Sequence, residues 1–430
     1  MIWVYRTLFL PLLLVAAPYY LWRMRRRGGY AEGFWHRFGA VPVLPPKQPG
    51  VRRVWLQAVS VGEMLAIAPL LEGLRRDGDV EVYLTTTTST GYRLAREKYA
   101  ALACGIGYFP LDFWAFSARA WRAVQADLGI LMEGERWPEH VRQAQRRGVP
   151  VLSVNARLSD RSFRRLLQSK WVWRPLAGGL TRILCAAKRD EQRFKALGFS
   201  PERLLTTGNL KLDVNIPLLD QAARLQLRRE LGLPAGGLVL LGSSTWAGEE
   251  TALLTALKAA RGRGLAVSLL LVPRHAERRE ELRALLEKSG LKFHFRSEGN
   301  AVGEVDVAVG DTTGELRMLT QLADLVFIGK SLAPHDGGQT PVEAAILGQP
   351  VLHGPRMTNF RDIIRSLTEA GAVRKVDTHS ALIEAAVELL QDGTQRGKLA
   401  EAAREWSAAN RGATERTLAA IQEQLGTLPG

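Results

Sequence analysis

Along nearly its whole length the chain alternates short apolar runs with stretches of helical periodicity, and few folds tolerate that rhythm. A strand reaches a parallel neighbour only through a connection long enough to return, usually a helix, so alternation of this kind implies parallel sheets with crossover helices. Val54–Val59 reads as a strand, Met64–Arg76 as a helix and Val80–Thr85 as a strand, with another helix from about Gly91. Leu128–Met132, Val149–Val154 and Ile183–Ala186 continue the series. After a break around Thr207–Leu218 the theme repeats with Leu238–Leu241, Val267–Val272, Val305–Val309, Leu325–Ile328 and Pro350–Leu352. A chain of 430 residues is too long for one ordinary core. The expectation is an α/β protein of two doubly wound, Rossmann-like domains facing a cleft, residues 28–212 and 213–430, with residues 1–27 standing apart. Ligands of such sheets sit beyond the carboxyl ends of the strands, so chemistry is sought in those loops.

Charge divides the two halves. The net +15 invites a nucleic-acid reading, but residues 1–215 carry 33 Lys and Arg against 17 Asp and Glu, while residues 216–430 carry 25 against 26. Nine of the eleven tryptophans also lie in the first half. No zinc-finger, RRM or KH signature accompanies the charge, so nucleic acid is not an expected partner. Basic residues with tryptophan suit an anionic membrane surface and a phosphorylated lipid. From Thr7 to Trp22 the sequence is uncharged, and Arg23, Arg25, Arg26 and Arg27 follow at once. With Arg6 snorkelling, the apolar stretch extends back to Ile2. A cleaved signal peptide would carry its charge before the apolar run, so residues 1–27 read as a retained membrane anchor with a basic flank. The positive-inside rule then puts the remainder in the cytoplasm. Whether the anchor spans or lies in one leaflet is left open. Cys104 and Cys185, far apart, suggest neither a disulfide framework nor a zinc site, and the seven scattered histidines form no metal-binding pair.

Several strand-end loops could carry chemistry. Gln57-Ala-Val-Ser-Val-Gly-Glu63 runs into a helix and puts Glu63 in its first turn; taken alone, Glu63 is best explained as an acid favoured by the helix dipole. Met132-Glu-Gly-Glu-Arg-Trp-Pro138 sets Glu133 and Glu135 two residues apart, on one face of extended chain, where they could orient sugar hydroxyls or cap the next helix. Arg157, Ser159 and Arg161 follow a third strand, suited to phosphate or carboxylate recognition, or to a solvated face. In the second half, Gly242-Ser-Ser-Thr-Trp-Ala-Gly-Glu-Glu250 is a strand, a small-residue loop and a helix start. Backbone N–H groups at such a helix start make an anion site suited to a nucleotide phosphate. It is neither a Walker A motif nor a GxGxxG fingerprint, which disfavours ATPase or dehydrogenase chemistry. Pro273-Arg-His275 adds charge through Arg274 and His275, and the loops Gly310–Glu315 and Gly337–Glu343 open two further helices.

These residues together resemble the 3-deoxy-D-manno-octulosonic acid (Kdo) transferases of lipopolysaccharide biosynthesis, over nearly the whole chain. The resemblance rests on AVSVGE (58–63), EGERWP (133–138), NARLSDRS (155–162), TGNLKLD (207–213), GSSTWAGEE (242–250), VPRHAER (272–278), GDTTGEL (310–316) and GPRMTNF (354–360), in this order. It implies a GT-B fold, CMP-Kdo as donor, a lipid A precursor as acceptor, and an inverting transfer needing no metal or other cofactor. It implies further that Glu63 is the general base and that Glu343 holds the nucleotide ribose. Glu133, Glu135, Arg157 and Ser159 fall on the acceptor side, and Ser243, Ser244, Arg274, His275, Gly314, Glu315, Gly338 and Asn359 on the nucleotide side. The chain departs from the family at three places, all in the donor half. Trp246 stands where His is usual, Gln339-Thr340 replaces an HN pair, and Val342-Glu-Ala-Ala345 replaces LEPA. Two other readings compete: a nucleotide-sugar epimerase of the same fold, disfavoured by the anchor and the basic half, and a membrane-bound pseudoenzyme, disfavoured by the retained AVSVGE.

Overall fold

The computed structural model describes residues 2–27, 32–76, 78–134, 137–169, 178–214 and 216–428. The chain forms two units, Met1–Asp213 with Gly412–Gly430, and Val214–Arg411. Each is built on a seven-stranded parallel sheet. The first contains β1 (Arg52–Gln57), β2 (Val80–Thr86), β3 (Gly105–Tyr108), β4 (Leu128–Met132), β5 (Val151–Ala156), β6 (Arg182–Cys185) and β7 (Leu204–Thr206), in the spatial order β3-β2-β1-β4-β5-β6-β7. The second contains β8 (Leu238–Thr245), β9 (Val267–Pro273), β10 (Phe293–Phe295), β11 (Val307–Val309), β12 (Leu325–Ile328), β13 (Val351–His353) and β14 (Val373–Lys375), ordered β10-β11-β9-β8-β12-β13-β14. Both orders turn round in the middle, between β1 and β4 and between β8 and β12. Loops leaving those strands diverge to opposite faces and open a crevice at the switch point.

The middle of each central strand is apolar, Val54-Trp55-Leu56 in β1 and Val239-Leu240-Leu241 in β8, because both faces are covered, while polar residues stand at the strand ends. In β1, Val54 and Leu56 join a core with Leu70, Leu71 and Leu74, while Trp55 between them joins Tyr83, Phe109 and Trp121 on the other face. The helix expected over Met64–Arg76 is two helices, Val61–Ala66 and Ala68–Arg75, with Pro69 in the first turn of the second. Proline lacks the N–H that a continuous helix would need there.

The expected single boundary at 213 requires one amendment. The last helix, Ala413–Gly426, belongs to the first unit, where Ala413, Ala420, Ile421 and Leu425 enter the core of Leu70, Leu71 and Leu74. Gly73 permits the approach: a Cβ there would lie 2.3 Å from Cδ1 of Leu418. Asp213 holds the returning segment, accepting N–H bonds from Gly412 (3.0 Å) and Thr414 (2.6 Å).

The amino-terminal helix, Ile2–Arg27, contains Pro11 and Pro18. No single helix among the described residues is long and apolar enough to cross a membrane; Ile2–Phe9 and Pro11–Tyr19, bent by 42°, have the length and composition only as a pair. Arg6 does not snorkel. Its guanidinium pairs in a fork with the buried carboxylate of Glu139, at 2.8 and 2.7 Å, because a charge half-sheltered by protein finds a carboxylate there instead of water.

Asp213→Ala should remove two charge-assisted hydrogen bonds from the returning segment and lower stability by about 2–4 kcal/mol. Urea unfolding measures this, and a loss below about 0.5 kcal/mol, the scale of an ordinary surface substitution, would show that Asp213 does not secure the helix.

Candidate functional site

Beyond β1, Ser60 caps the helix Val61–Ala66. Its Oγ accepts from the Glu63 N–H at 3.2 Å and donates to Glu63 Oε1 at 2.9 Å. Glu63 Oε2 accepts from the Val59 N–H at 2.8 Å. The helix-start role is therefore real, and the same contacts lock the carboxylate in one orientation. Glu63 is 5% exposed. Burial pushes its pKa up, the Val59 N–H opposes this, the charge of Glu133 raises it further, and Ser60 and Lys211 lower it.

Glu133 follows β4 in a left-handed conformation, φ +57°. Its carboxylate pairs with Lys211 at 2.5 Å and lies 4.0 Å from the Arg157 guanidinium. The loop carrying Lys211 is tied to β5, since Asn155 Oδ1 accepts from the Leu210 N–H at 3.1 Å and Asn209 Oδ1 from the Lys211 N–H at 3.0 Å. Glu63, Glu133, Arg157 and Lys211 thus form one electrostatically coupled group. Ser159 does not join it: it caps the helix Asp160–Gln168, accepting from the Ser162 N–H. Glu135 lies outside the described residues. Lys211 was assigned no role from sequence, although it sits in the TGNLKLD motif just beyond β7.

In the second unit the switch point is organised by Glu249, another residue to which sequence reasoning gave no role. It is fully buried at the start of the helix Glu249–Gly262. Its carboxylate accepts backbone N–H bonds from Trp246 (3.0 Å) after β8, and from Lys330 (2.9 Å), Ser331 (3.0 Å) and Leu332 (3.4 Å) after β12. One carboxylate therefore stitches together the two loops that border the crevice. Burial still raises its pKa, with these four N–H groups opposing. Ser244 (φ +54°) and Lys330 (φ +58°) hold left-handed backbone on either side, a conformation that costs a non-glycine residue about 1–3 kcal/mol and gathers at functional sites.

Trp246 is the hub of this region. Lys330 Nζ lies 4.6 Å from its ring centroid, and His275 and His335 lie 5.2 and 5.3 Å away. Arg274 is exposed, its N–H bonded to Thr245 O at 3.2 Å. Gly338 donates to Lys330 O and Asn359 to Gly337 O, each at 3.0 Å. Ser243 and Ser244 thus end β8, Arg274 and His275 follow β9, and the Gly337–Gly338 turn is bonded to Lys330 after β12 and to Asn359, with Lys330 and His335 brought to the Trp246 ring beside them. Glu343 extends the set: Thr340 Oγ1 donates to it at 3.0 Å and Arg317 lies at 3.7 Å. Glu315, after the left-handed Gly314 (φ +92°), accepts from Thr312 and faces Arg296 at 3.6 Å. Arginine and histidine after β9, and lysine and histidine after β12, suit an anion. Among the described residues no three His, Cys, Asp or Glu side chains are grouped to hold a metal ion.

Comparison with known proteins places this geometry in a family. Residues 32–214 match the family model of the 3-deoxy-D-manno-octulosonic-acid transferase (kdotransferase). The chain is 35% identical over 427 residues to the 3-deoxy-D-manno-octulosonic acid transferase of Bordetella pertussis, covering 95% of this chain and 96% of that protein. The chain belongs to the Kdo transferase family. The Kdo transferase of Haemophilus influenzae is 32% identical over 422 residues, 97% of this chain and 95% of its own length. These relatives make the chain a glycosyltransferase. Solved structures of GT-B type share the fold at low identity. The UDP-N-acetylglucosamine 2-epimerase of Neisseria meningitidis, bound to UDP-GlcNAc, superposes with a TM-score of 0.56 at 13% identity, over 86% of this chain and all of that one. A putative epimerase from Listeria monocytogenes gives 0.55 at 16%, over 88% and 98%.

The opposed influences on Glu63 give the Kdo transferase a signed pH signature. Glu133→Gln removes a charge that raises the Glu63 pKa, so the acid limb of transfer rate against pH should move to lower pH. Lys211→Met removes one that lowers it, so the limb should move to higher pH. Limbs that stay put, or shift in the same direction, would show that Glu63 does not govern the limb.

Proposed function

We propose that this Kdo transferase moves Kdo from CMP-Kdo to a lipid A precursor, with inversion, at the cytoplasmic face of a bacterial inner membrane. The observation that carries the reading is Glu63: a buried carboxylate with a raised pKa, locked by Ser60 and Val59 and coupled to Glu133 and Lys211. The acceptor hydroxyl oxygen attacks the anomeric carbon of Kdo, the bond from that carbon to the phosphate oxygen breaks, and CMP leaves with the electron pair. The hydroxyl proton passes to Glu63. Because the transition state is oxocarbenium-like, that proton leaves late and a carboxylate is basic enough. Lys211 and Arg157 carry positive charge beside Glu133 in the first unit, suited to a phosphorylated acceptor.

In the second unit, Ser243, Ser244, Gly314, Glu315, Gly338 and Asn359 would contact the nucleotide, Glu343 the ribose hydroxyls, and Arg274 the phosphate. Arg274 and backbone N–H groups would meet the leaving-group charge, with no metal required. The membrane reading rests on the uncharged run from Thr7 to Trp22, the arginines after it, and the basic first half.

A direct assay tests the whole reading: purified protein supplied with freshly made CMP-Kdo and a lipid A precursor should form the Kdo-bearing product and release CMP. Protein that only epimerises a nucleotide sugar, or does neither, would overturn it. Glu63→Gln keeps size and hydrogen-bonding reach but cannot take the proton, so turnover should fall by about 10²–10⁴-fold with CMP affinity retained. If Glu63 serves the helix start alone, the melting point shifts slightly and turnover stays near normal. On the donor side, CMP should raise the melting temperature more than UMP. Arg274→Ala should weaken CMP binding by about ten- to a hundredfold, the worth of one hydrogen bond to a charged group. Unchanged CMP affinity, measured by calorimetry, would remove Arg274 from the phosphate site.

A further inference from the structure

The amino-terminal helix has two contrasting faces. Val4, Leu8, Leu12, Val15, Tyr19 and Trp22 recur at spacings of four and three, so they share one face. All six are exposed, from 53% at Val4 to 81% at Val15. Tyr5, Arg6 and Phe9 lie on the opposite face, and there the helix is held by the first unit. Tyr5 Oη donates to Asp112 Oδ2 at 2.6 Å. Arg6 forks onto Glu139, and the Phe9 ring stacks on Phe113 at 5.9 Å. The receiving carboxylates are built into the fold. Asp112 is 2% exposed and also accepts the N–H groups of Glu139 and His140; Glu139 is fully buried and accepts from Gln143.

The other end of the helix is short of freedom too. Four residues separate Arg27 from Glu32, which pairs with Arg96 of the same unit. Five peptide steps reach at most about 18 Å, well under the roughly 30 Å of a bilayer core. Both ends of the helix therefore belong to one side of any bilayer. A helix crossing the membrane would carry Arg6 away to the far surface, out of reach of Glu139.

We propose that this helix does not span but lies along the interface of an anionic bilayer. Tyr5 and Arg6 clamp its first turns to the first unit, and the Val4–Trp22 stripe turns toward the acyl chains. The inference rests on the membrane reading above and says how that membrane is engaged. The occupant is a lipid surface because the exposed stripe is uncharged and four arginines follow it within five residues, the combination that binds anionic headgroups around a shallow apolar insertion. The clamp gives the first unit a fixed attitude to the surface, so the group around Glu63 meets a lipid-borne acceptor at a constant height.

The test uses the full chain on vesicles of phosphatidylcholine with anionic phosphatidylglycerol, with Val4→Cys and Tyr19→Cys labelled one at a time and their depths read by brominated lipids. Both labels should sit at the same shallow depth in the near leaflet. A spanning helix would separate them by up to about 22 Å along its axis, and unequal depths on bound protein would overturn the clamped arrangement while leaving the membrane reading intact. No vesicle binding even at low salt would overturn the membrane reading, and this inference with it. Labels shielded without lipid, in a concentration-dependent way, would show the stripe covered by a second copy and overturn the lipid assignment. Tyr5→Phe with Arg6→Gln leaves the Glu139 carboxylate buried without its counter-ion, so the melting temperature should fall; well below it, the Val4 label should become mobile while Tyr19 keeps its depth. Unchanged order at Val4 would show that the clamp holds nothing.

Discussion

In a parallel sheet every strand points the same way, so every carboxyl end opens onto one edge, and the placing of the candidate site residues in each unit follows from that. The loops after β1 and β4, and those after β8 and β12, diverge at the switch points of their sheets. Four non-glycine residues held in left-handed backbone lie at these edges: Glu133, Asn155, Ser244 and Lys330. Such backbone persists only where surrounding contacts over-determine it. Here they are visible. Asn155 ties the Lys211 loop to β5, and the Lys330 N–H is fixed by Glu249. The local cost is borne where side chains must be aimed.

In Glu63 the helix-start contacts are compatible with the chemical role proposed for it. Its capping contacts with Ser60 and Val59 hold the carboxylate in a single rotamer, and the same burial raises its affinity for a proton. A freely rotating surface acid would have neither property. Trp246 is a different case. An indole stands where the family's histidine is usual, yet two histidines, His275 and His335, pack against its ring with Lys330 over its face. Imidazole and ammonium groups thus stay at the crevice, supplied from neighbouring strand ends.

Central strands were legible because burial on both faces leaves an uninterrupted apolar run. β3, β7, β10 and β14, the four edge strands of the two sheets, were missed, whereas interior strands no longer than these, such as β11 and β13, show as apolar runs because they are covered by a neighbour on each side as well as on both faces. Loop positions were legible wherever a strand ended in small residues, as after β1 and at the end of β8. Partners far apart in sequence were not. Nothing local announces that Arg6 meets Glu139, that Lys211 meets Glu133, or that Glu249 receives N–H groups from residues about eighty positions away. Composition suggested that Arg6 would seek water, whereas the folded chain offered a buried carboxylate.

The return of the last helix to the first unit makes the second unit an insertion in the first. Residues 214–411 form a complete sheet with its own core, whereas the first unit lacks part of its hydrophobic interior until Ile421 and Leu425 arrive. On a ribosome, which delivers the chain from its amino end, the second unit can close while the first still waits with Leu70, Leu71 and Leu74 uncovered. The apolar amino-terminal helix emerges long before that core is sealed. A newly made chain therefore spends most of its synthesis with its stickiest surfaces unpaired, and early contact with a lipid surface or a chaperone would shield them during that interval.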